Sequence, residues 1–512
     1  MRRGFCGSQL HFGLDSGRCE AKPAVRCGGF EGPLFMQSLI PLSPGGGPLF
    51  RQVYLGLRKA ILSGAFQGGG RLPSTRELAQ QLGVSRTVVL LAYDQLLAEG
   101  FTEGHSGSGT YVSAAVGPPR SAPAEEAAKL PLAPFGRAAA GAWTKLSFFQ
   151  QRTAALPYDF AYGRSDVSTF PFAMWRRQLL KCARRASVAE LDYGPAGGNA
   201  TLREAICAHL RRSRAVNCDP EQVIVVNGSQ QALDLIARIL LQPGDRVVVE
   251  DPSYQGTTEV LRAAAARLLP IPVDEQGLDP ARLPPSARIV FVTPSHQFPT
   301  GSILPLARRL ALLEWAKRKD AVVVEDDYDG EFRYEGQMLE SLQGLDRGAR
   351  VIYIGTFSRT IFSALRIGYL VVPKSLIAAF SAGKWLCDRH TPSLEQATLA
   401  EFIASGMYER YLRKVRRRNA TRRDALLEAV GKYLRGRAEV SGAAAGAHLV
   451  LWPARHVEED VLIAAAAARG VGVYAISPYY LRRPSRTGLL LGYSRLTESD
   501  IQEGIRRLGK VL

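Results

Sequence analysis

Short, continuously apolar runs separated by helical patterns constrain the fold of this chain more than any other feature of its sequence. Six such runs lie in its middle part: residues 223–226, 247–250, 289–293, 321–325, 351–355 and 369–372. A strand that is apolar throughout is buried on both faces, and parallel strands need long crossover connections, usually helices. The pattern therefore predicts an α/β domain from residue 158 onward, with a large, mostly parallel sheet covered by helices on both faces.

The sequence changes character on either side of these runs. Residues from about 393 to 512 begin with a long helical pattern and end in a mixed one, which predicts a smaller C-terminal α+β subdomain. Residues 114–157 are rich in Pro, Ala and Gly and have no sustained period. Such a composition is typical of a linker.

Residues 48–113 are predicted to form a separate small domain. Ser74 and Glu77 have the spacing of a capping box at the start of one helix. Gly83 ends that helix and Ser85 begins the next as its N-cap, with Arg86 facing outward. The buried stripe expected on the second helix consists of Val88, Leu91, Ala92, Leu96 and Leu97. Two short helices around a glycine turn predict a helix-turn-helix, with the glycine-rich hairpin over 101–112 as a wing beside it.

Residues 1–47 are expected to lie outside the folded domains. The first 35 are rich in Gly, Cys and Arg, show no periodicity and lack the continuous apolar core of a signal peptide. We interpret this leader as a disordered tail or a mis-assigned extension, with Met36 as the natural start.

Composition favours a nucleic-acid partner without proving one. The chain has 65 Lys+Arg against 47 Asp+Glu, a net charge of +18 that suits polyanions, although an arginine-rich proteome explains it equally well. No run approaches the roughly 18 apolar residues of a membrane helix, so no membrane partner is expected. The seven cysteines contain no C-x-x-C pair, so we expect neither a metal site nor disulfides, and we expect a cytoplasmic protein.

Four blocks in residues 48–112 resemble the winged-helix domain of GntR-type bacterial regulators. They are L-P-S-T-R-E-L-A from Leu72, L-G-V-S-R from Leu82, A-Y-x-x-L-x-x-E-G from Ala92 and G-S-G-T-Y-V from Gly107. The resemblance implies double-stranded DNA as a partner, with Arg76 and Arg86 at phosphates or base edges and Gly107 at the minor groove. Two serines and a threonine complete the expected interface: Ser74, Ser85 and Thr87.

Motifs at the ends of the predicted strands resemble those of fold-type I pyridoxal-phosphate enzymes. They are N-G-S-Q from residue 227, D-P-S-Y from 251, E-D-D-Y-D-G from 325, T-F-S-R-T from 356 and A-L-R-I-G from 364. A GntR-type reader fused to such a domain is the arrangement of the MocR/GabR regulators, and the resemblance covers nearly the whole chain from residue 48. It implies pyridoxal 5'-phosphate as the cofactor.

The resemblance also assigns the contacts of that cofactor. Tyr254 would stack on the pyridine ring, Asp326 would pair with the ring nitrogen, and Tyr328 would bond the ring hydroxyl. An acid at the nitrogen keeps it protonated, which makes the cofactor an electron sink. Tyr193 resembles a tyrosine that reaches the phosphate of the other subunit, which implies a homodimer. The phosphate would be held by Gly228, Ser229, Gln230, Ser358 and Arg366, with Ser229 at a helix N-terminus.

Arg359 stands where the resemblance places the Schiff-base lysine. A guanidinium stays protonated and delocalised, so it neither attacks an aldehyde nor shuttles a proton as a lysine amine does. No residue is therefore assigned as catalytic, and transaminase turnover is not expected. Pyridoxal phosphate would bind without a covalent bond, or its binding would be lost.

The leading hypothesis is a transcription regulator whose aminotransferase-like domain senses an effector, pyridoxal phosphate and/or an amino acid or amine, and dimerises. One alternative is a working aminotransferase with a DNA-binding appendage. Another is a sensor that does not use pyridoxal phosphate, in which Arg359 holds an anionic ligand. A sequencing error at that codon is a further alternative.

Three smaller assignments remain open in the sequence. A basic helix over residues 413–423 is either a solvated face or an auxiliary DNA surface. Phe298 stands where related enzymes have an asparagine, so contacts to the ring oxygen would pass to His296 or Gln297. Arg486 is a candidate for binding a substrate carboxylate.

Overall fold

The computed structural model describes residues 33–105, 107–117, 131–150, 156–163, 165–455, 457–484 and 486–512, with the backbone alone at 33–35, 144–150 and 189. The chain divides into two compact units, residues 1–130 and 131–512. We call the first unit the reader and the second the body. Among the described residues, no helix has the length and apolar character that crossing a membrane requires.

In its described residues, the reader contains four helices and a two-stranded hairpin. Its helices are α1 (Pro33–Leu39), α2 (Leu49–Leu62), α3 (Thr75–Leu82) and α4 (Arg86–Ala98), and its strands are β1 (Thr102–His105) and β2 (Gly109–Val112). The strands pair antiparallel, from Thr102 opposite Val112 to His105 opposite Gly109. The turn between them contains Gly107 at φ 81°, a left-handed conformation that favours glycine.

The reader begins earlier than its predicted first residue, 48. Met36 and Ile40 are buried in its core, together with apolar residues of α2, α3 and α4. Ile40 lies over Gly56 of α2, where an added Cβ would stand 2.5 Å from the Ile40 Cγ2 atom. The expected leader over residues 1–47 is thus corrected from Met36 onward, while residues 1–32 lie outside the described part of the chain.

Local capping forms the two helices of the helix-turn-helix as predicted. The Ser74 hydroxyl accepts from the Glu77 backbone N–H at 3.2 Å, and the Glu77 carboxylate accepts from the Ser74 N–H at 2.8 Å. Gly83 ends α3 at φ 67°, and Ser85 caps α4 by accepting from the Val88 N–H. These bonds satisfy amide groups that a helix start leaves unpaired.

The buried stripe of α4 differs from the predicted one. Val89, Ala92, Tyr93 and Leu96 are buried, whereas Leu91 and Leu97 are about half exposed. Tyr93 sets this rotation because its ring enters the core and its hydroxyl donates to the Pro73 carbonyl at 2.7 Å. The sequence analysis assigned the buried positions to leucines. It did not consider that a tyrosine can be buried when its hydroxyl has a hydrogen-bond partner.

The body is built on an eight-stranded sheet, which confirms the predicted mostly parallel α/β domain. Its strand order is β4-β11-β10-β9-β8-β5-β6-β7, and only β11 and β7 run antiparallel to their neighbours. The strands are β4 (Val223–Val226), β5 (Arg246–Asp251), β6 (Arg267–Asp274), β7 (Gly277–Leu278), β8 (Ile289–Val292), β9 (Val322–Asp327), β10 (Val351–Thr356) and β11 (Gly368–Val371). In α/β folds of this kind, ligands bind beyond the carboxyl ends of the strands.

Helices cover this sheet and extend beyond it. They are α5 (Pro134–Gln150), α6 (Phe172–Arg185), α7 (Val188–Leu191), α8 (Ala200–Arg214), α9 (Ser229–Leu240), α10 (Gln255–Ala263), α11 (Leu306–Lys319), α12 (Leu342–Leu345), α13 (Ile377–Asp388), α14 (Ser393–Ala404) and α15 (Met407–Tyr433). Helix α5 lies in the stretch predicted as a linker, and its contacts with α10 belong to the body.

A smaller subdomain follows, as the sequence predicts. Its four-stranded sheet has the order β12-β13-β16-β15, and β14 pairs with β3 from the start of the body. The remaining elements are β3 (Tyr158–Asp159), β12 (Ala438–Ser441), β13 (His448–Pro453), α16 (Glu459–Ala467), β14 (Val471–Gly472), β15 (Tyr474–Ala475), β16 (Leu489–Gly492) and α17 (Glu498–Leu508). Apolar residues of α15, α17 and these strands share one core.

Candidate functional site

The turn between β4 and α9 has the properties of a phosphate site. Gly228 adopts φ 83°, and a Cβ there would lie 2.7 Å from an Arg366 guanidinium nitrogen. Arg366 donates to the Asn227 carbonyl at 2.9 Å, which fixes the cation beside the turn. Ser229 begins α9, and the first amides of a helix are free to hold an anion. The structure thus brings the predicted phosphate-binding residues 228, 229 and 366 together.

Ser358 lies just after β10, and its buried hydroxyl has no hydrogen-bond partner in the described part of the chain. Arg366, at the end of the same connection, adopts φ 52°, which is uncommon for a side chain of this size. A buried unpaired hydroxyl is costly without a ligand. The Ser358 hydroxyl is therefore free to bond an oxyanion, as is a guanidinium beside the phosphate turn.

Asp326 lies at the carboxyl end of β9 and also has an unpaired oxygen. Its Oδ1 atom is buried, with no partner among the described residues. Burial and the neighbouring Asp327 raise the pKa of Asp326 to about 7, although Arg359 acts in the opposite direction. A cationic ring nitrogen would satisfy this carboxylate and restore its charged form.

Two tyrosines near Asp326 pack their rings against Phe298. The Tyr254 ring lies 6.0 Å from the Phe298 ring, edge to face, and the Tyr328 ring lies 5.8 Å from Phe298 in the same manner. The Tyr328 hydroxyl is 3.0 Å from the His296 Nδ1 atom. With the unpaired oxygens of Asp326 and Ser358, these residues fit a phosphorylated pyridine.

The loop after β8 corrects one of the open assignments. The Gln297 amide donates to the carbonyls of Pro252 and Phe298 at 2.8 and 2.7 Å, and its oxygen accepts from Thr300. It therefore holds the loop and is not free for a ring contact. His296 contacts the Tyr328 hydroxyl and acts on the pocket through it.

Arg359 crosses the pocket from the end of β10. A Cβ on Gly163 would lie 2.6 Å from the Arg359 Nη1 atom, so the guanidinium reaches the backbone of that glycine. Its Cζ atom stands 5.9 Å from the centre of the Tyr162 ring. In the described residues no carboxylate lies within ion-pair distance of Arg359, and the charge acts on Asp326 through space.

Arg359 lines two cavities. The small one, of about 30 Å³, also contacts Tyr328 and His448. The large one, of about 620 Å³, is lined by Tyr254, Gln230 and Arg359 among others. Arg359 is the only cationic side chain that the described residues contribute to the large cavity, whereas three acids also line that cavity: Asp159, Asp234 and Glu259. A ligand with an anionic end would be oriented by this asymmetry.

Helix α5 forms part of the wall of the large cavity, which the sequence pattern did not indicate. Phe135, Ala139, Ala142 and Trp143 line it. The Arg238 guanidinium on α9 stacks at 5.7 Å from the Phe135 ring and holds the start of the helix. Trp143 is 60% exposed, so its indole stands at the edge of the cavity where a ligand would cover it.

His296, Asp329 and His448 form a buried cluster whose ligand atoms lie within 4.8 Å of one another. The Asp329 carboxylate is 3.0 Å from His296 Nδ1; burial opposes the charged imidazole, but Asp329 and hydrogen bonds leave the pKa of His296 raised. Burial and then His296 itself lower the pKa of His448, with Arg359 acting in the same direction. A nearby guanidinium also opposes a divalent cation, so the cluster fits a hydrogen-bond network better than a metal site.

No lysine whose side chain the structure describes lines either cavity of Arg359. Lys384, on α13, is fully buried and bonds Asp388 at 2.6 Å. Asp388 in turn accepts from the Asn227 amide at 2.6 Å. Lys384 is therefore linked through Asp388 to the residue that precedes Gly228 in the phosphate turn. Burial lowers the pKa of Lys384, although Asp388 acts against that shift.

Tyr193 does not line the cavities of Arg359. It is 71% exposed, and the Arg389 guanidinium stacks 4.3 Å from the centre of its ring. Its predicted contact is with the other subunit, so this exposed position is compatible with the assignment and does not test it.

Arg486 lines neither cavity of Arg359. Its guanidinium stacks 4.0 Å from the centre of the Trp452 ring and is 3.4 Å from the Glu439 carboxylate. It lines another cavity with Trp452 and Tyr480. The assignment of Arg486 to a substrate carboxylate therefore stays a prediction.

The basic helix α15 is largely tied into the body. Arg422 is buried and pairs with Asp166 at 3.1 Å, and Arg418 pairs with the same carboxylate at 3.5 Å. Arg423 pairs with Glu335 at 3.1 Å, and Arg416 donates to the Glu331 carbonyl at 2.9 Å. Arginines held by internal partners are poorly placed to act as an auxiliary DNA surface.

In the reader, the six residues assigned to DNA are all exposed: Ser74, Arg76, Ser85, Arg86, Thr87 and Gly107. The Arg86 Nε atom donates to the Thr75 hydroxyl at 3.3 Å, which links the starts of α3 and α4. The two cap serines accept from their own helices, so each still has a hydroxyl hydrogen to donate. This surface has the geometry of a helix N-terminus that enters a major groove.

Comparison with known proteins agrees with both units. Residues 49–112 match the bacterial regulatory proteins of the gntR family, and residues 159–508 match aminotransferase class I and II. The kynurenine aminotransferase of Pyrococcus horikoshii superposes with a TM-score of 0.67 at 28% identity, covering 72% of this chain and 93% of that one. The class is thus a DNA-binding transcription regulator with an aminotransferase-like body.

Relatives along the whole chain narrow this class. The chain is 40% identical over 472 residues to the probable rhizopine catabolism regulatory protein MocR of Rhizobium meliloti, covering 90% of this chain and 93% of that protein. It is 34% identical over 491 residues to the regulator TauR of Rhodobacter capsulatus, covering 92% and 98%. The chain belongs to the MocR-type regulators of the gntR family, which confirms the predicted family and the regulator hypothesis over the enzyme alternative.

Proposed function

We propose that the body is a ligand-sensing domain that binds pyridoxal phosphate without a covalent bond and does not turn over an amino substrate. The observation that carries this proposal is Arg359, which crosses a pocket whose other parts are intact. The aminotransferase class I and II fold normally binds pyridoxal phosphate. The unpaired oxygens of Asp326 and Ser358 support the same ligand here.

Each residue of the pocket has a role in holding this group. Gly228, Ser229 and Gln230 would bind the phosphate at the N-terminus of α9, together with Ser358 and Arg366. Tyr254 would cover one face of the ring, and Asp326 would hold the proton on the ring nitrogen. Tyr328, oriented by His296, would donate to the ring oxygen.

When bound, pyridoxal phosphate supplies an aldehyde and an electron-withdrawing ring. The guanidinium of Arg359 does not act as an amine nucleophile, but its five donors can bond an anionic group beside the ring. The guanidinium next to Gly163 therefore favours a ligand that carries a carboxylate, such as an amino acid. The wall of the large cavity formed by α5 would contact the rest of that ligand.

The remaining parts of the proposal concern partners. Arg76, Arg86 and Thr87 would contact an operator in double-stranded DNA, with Ser74 and Ser85 at its phosphates and Gly107 at the minor groove. A second copy of the chain would approach through the surface of Tyr193, so that the regulator acts as a homodimer. A protein that reads an operator in a bacterium would work in the cytoplasm.

Absorption spectroscopy with borohydride reduction tests this proposal. We expect the full chain to bind added pyridoxal phosphate, to release it on gel filtration, and to give no cofactor-labelled peptide after reduction. Arg359→Lys should convert reversible binding into covalent retention and yield a labelled peptide at residue 359. A labelled lysine in the unmodified chain would refute the non-covalent site. No binding at all would instead favour a sensor that uses Arg359 for another anion.

A further inference from the structure

Another cavity, of about 580 Å³, lies on the body and shares no lining residue with the cavities of Arg359. It lies between the end of α8, the loop from Arg333 to Glu340, and α15. Glu340 is the only acid among its lining residues. Its basic lining residues are Arg211, Arg212, Arg214, Arg333 and Arg416. We call this cavity the arginine cleft.

One of these arginines is neutralised within the protein. Arg214 pairs with Asp327 at 2.7 Å, and the side chains of both residues are only 3% exposed. Its charge therefore contributes little to the attraction of a ligand. Arg211 lies 3.3 Å from the Asp219 carboxylate, but Lys374 shares that carboxylate at 2.7 Å, so the pair leaves a positive charge.

The other three have no carboxylate within ion-pair distance among the residues that the structure describes: Arg212, Arg333 and Arg416. The nearby Glu409 has its own partner, since His209 Nδ1 is 2.7 Å away. That hydrogen bond, and after it the charges of Arg212 and Arg416, lower the pKa of Glu409. The cleft thus retains an excess of positive charge over its single lining acid, Glu340, and the nearby Glu409.

Arg333 is the least satisfied of the three. Its Nε and Nη1 atoms are buried and have no hydrogen-bond partner in the described residues. Burial and the nearby Arg214 both lower the pKa of Arg333, so the folded protein holds this cation at a cost. Unpaired guanidinium nitrogens next to a second cation are relieved by an oxyanion, whose oxygens match their planar geometry.

The loop beside Arg333 keeps the cleft open. Gly336 adopts φ 72°, and a Cβ there would lie 3.3 Å from the Arg333 Nη2 atom. A larger residue would therefore meet both backbone strain and the guanidinium. On the opposite wall, Arg416 is fixed by its bond to the Glu331 carbonyl.

We propose that the arginine cleft binds a small oxyanion with at least two negative charges, through Arg333, Arg212 and Arg416. This inference is independent of the proposed function because it does not involve the pyridoxal phosphate pocket. Diphosphate and tricarboxylate ligands share the required chemistry, and both present several oxygens to guanidinium forks.

Isothermal titration of the full chain with inorganic pyrophosphate and with citrate, in the absence of pyridoxal phosphate, tests the proposal. We expect Arg333→Gln to weaken binding of at least one of these anions roughly 10- to 100-fold, the effect of removing a charged hydrogen-bond donor. Arg212→Gln should also weaken binding of that anion. Because Arg212 is exposed, this variant is expected to fold normally, so weaker binding would not reflect a folding defect. Arg318→Gln, on the exposed end of α11, should leave binding unchanged.

The phosphate turn is a competing anion site, so Arg366→Gln is the second control. Loss of pyrophosphate binding in Arg366→Gln, with full binding in Arg333→Gln, would overturn the proposal. A short non-operator DNA duplex forms the last arm of the test. If Arg333→Gln and Arg212→Gln weaken duplex binding but not pyrophosphate or citrate binding, the cleft contacts DNA and the small-oxyanion assignment is wrong.

Discussion

The DNA-reading surface of the reader and the cofactor pocket of the body are built in opposite ways. The surface residues lie within one stretch of sequence, and local bonds such as the capping box at Ser74 hold them in place. The pocket takes Gly163, Asp326 and Arg359 from distant parts of the chain. The function of the DNA-reading surface is therefore lost when its own side chains are removed. The function of the pocket also depends on distant residues that contact no ligand.

The largest effect should come from removing both arginines of the DNA-reading surface. Arg76→Ala with Arg86→Ala is expected to cost about 2–6 kcal/mol of operator binding, since each contact contributes roughly 1–3 kcal/mol. Electrophoretic mobility shift across a salt series would measure it. Pyridoxal phosphate binding should not change in this double variant. If the double variant lost both operator binding and pyridoxal phosphate binding, the two regions would not be independent.

The second effect is a pH dependence in the pocket. The pKa of Asp326 is raised from 3.8 to about 7, so the folded state prefers the neutral acid. The resulting contribution to stability is complete below about pH 4 and is lost as the pH rises to about 7. Three pKa units correspond to at most about 4 kcal/mol.

Chemical denaturation of the full chain at several pH values, compared with Asp326→Asn, would isolate that contribution. The unmodified chain should lose more unfolding free energy than the variant between pH 4 and 7. Glu325 and Glu331 have similarly raised pKa values and are present in both proteins, so the difference between the curves reports on Asp326 and on its interaction with Glu250. Parallel curves for the two proteins would contradict the raised pKa of Asp326.

The third effect concerns the phosphate turn. Gly228→Ala places a Cβ 2.7 Å from Arg366 at a φ of 83°. The strain of such a conformation is about 1–3 kcal/mol, and displacement of Arg366 should weaken pyridoxal phosphate binding as well. Thermal unfolding and cofactor titration would report the two losses. Gly431→Ala is a matched control, because Gly431 lies in α15 with open space at its Cβ.

The smallest effect is local to the reader. Ser74→Ala removes the N-cap of α3 and should destabilise that helix by about 1 kcal/mol. Amide hydrogen exchange in the full chain should speed up in α3 and stay unchanged in α9. A change in α9 would show that the two regions are less separate than their construction suggests.

Sequence patterns predicted the parts whose signals are local. The six apolar runs matched six of the eight strands of the large sheet closely, because continuous burial leaves an unbroken hydrophobic run. Strands β6 and β7 were missed, and β6 is mostly half-buried or exposed, so it leaves no such run. Helix α5 was missed because its first half is built from small residues that give no clear periodicity. Helix α5 lines the large cavity because it packs on α10, and no local sequence pattern indicates that contact.

The pocket was predictable only as far as motifs reach. Asp326 and Arg366 follow from the resemblance, but the contact of Arg359 with Gly163 joins residues nearly 200 positions apart. The basic run of α15 left a DNA surface open beside a solvated face because Asp166, the partner of Arg418 and Arg422, lies some 250 residues earlier. Long-range pairing of this kind depends on the fold and leaves no local trace.

The approach of Arg359 to Gly163 also limits which residue can occupy position 163. An alanine at position 163 would meet the guanidinium, whereas a shorter lysine at position 359 would leave room for it. Glycine at 163 therefore meets two requirements at once, because its φ of 87° is strained for other residues and its missing Cβ leaves room for the guanidinium. With lysine at 359 the second requirement would lapse, whereas the first would remain.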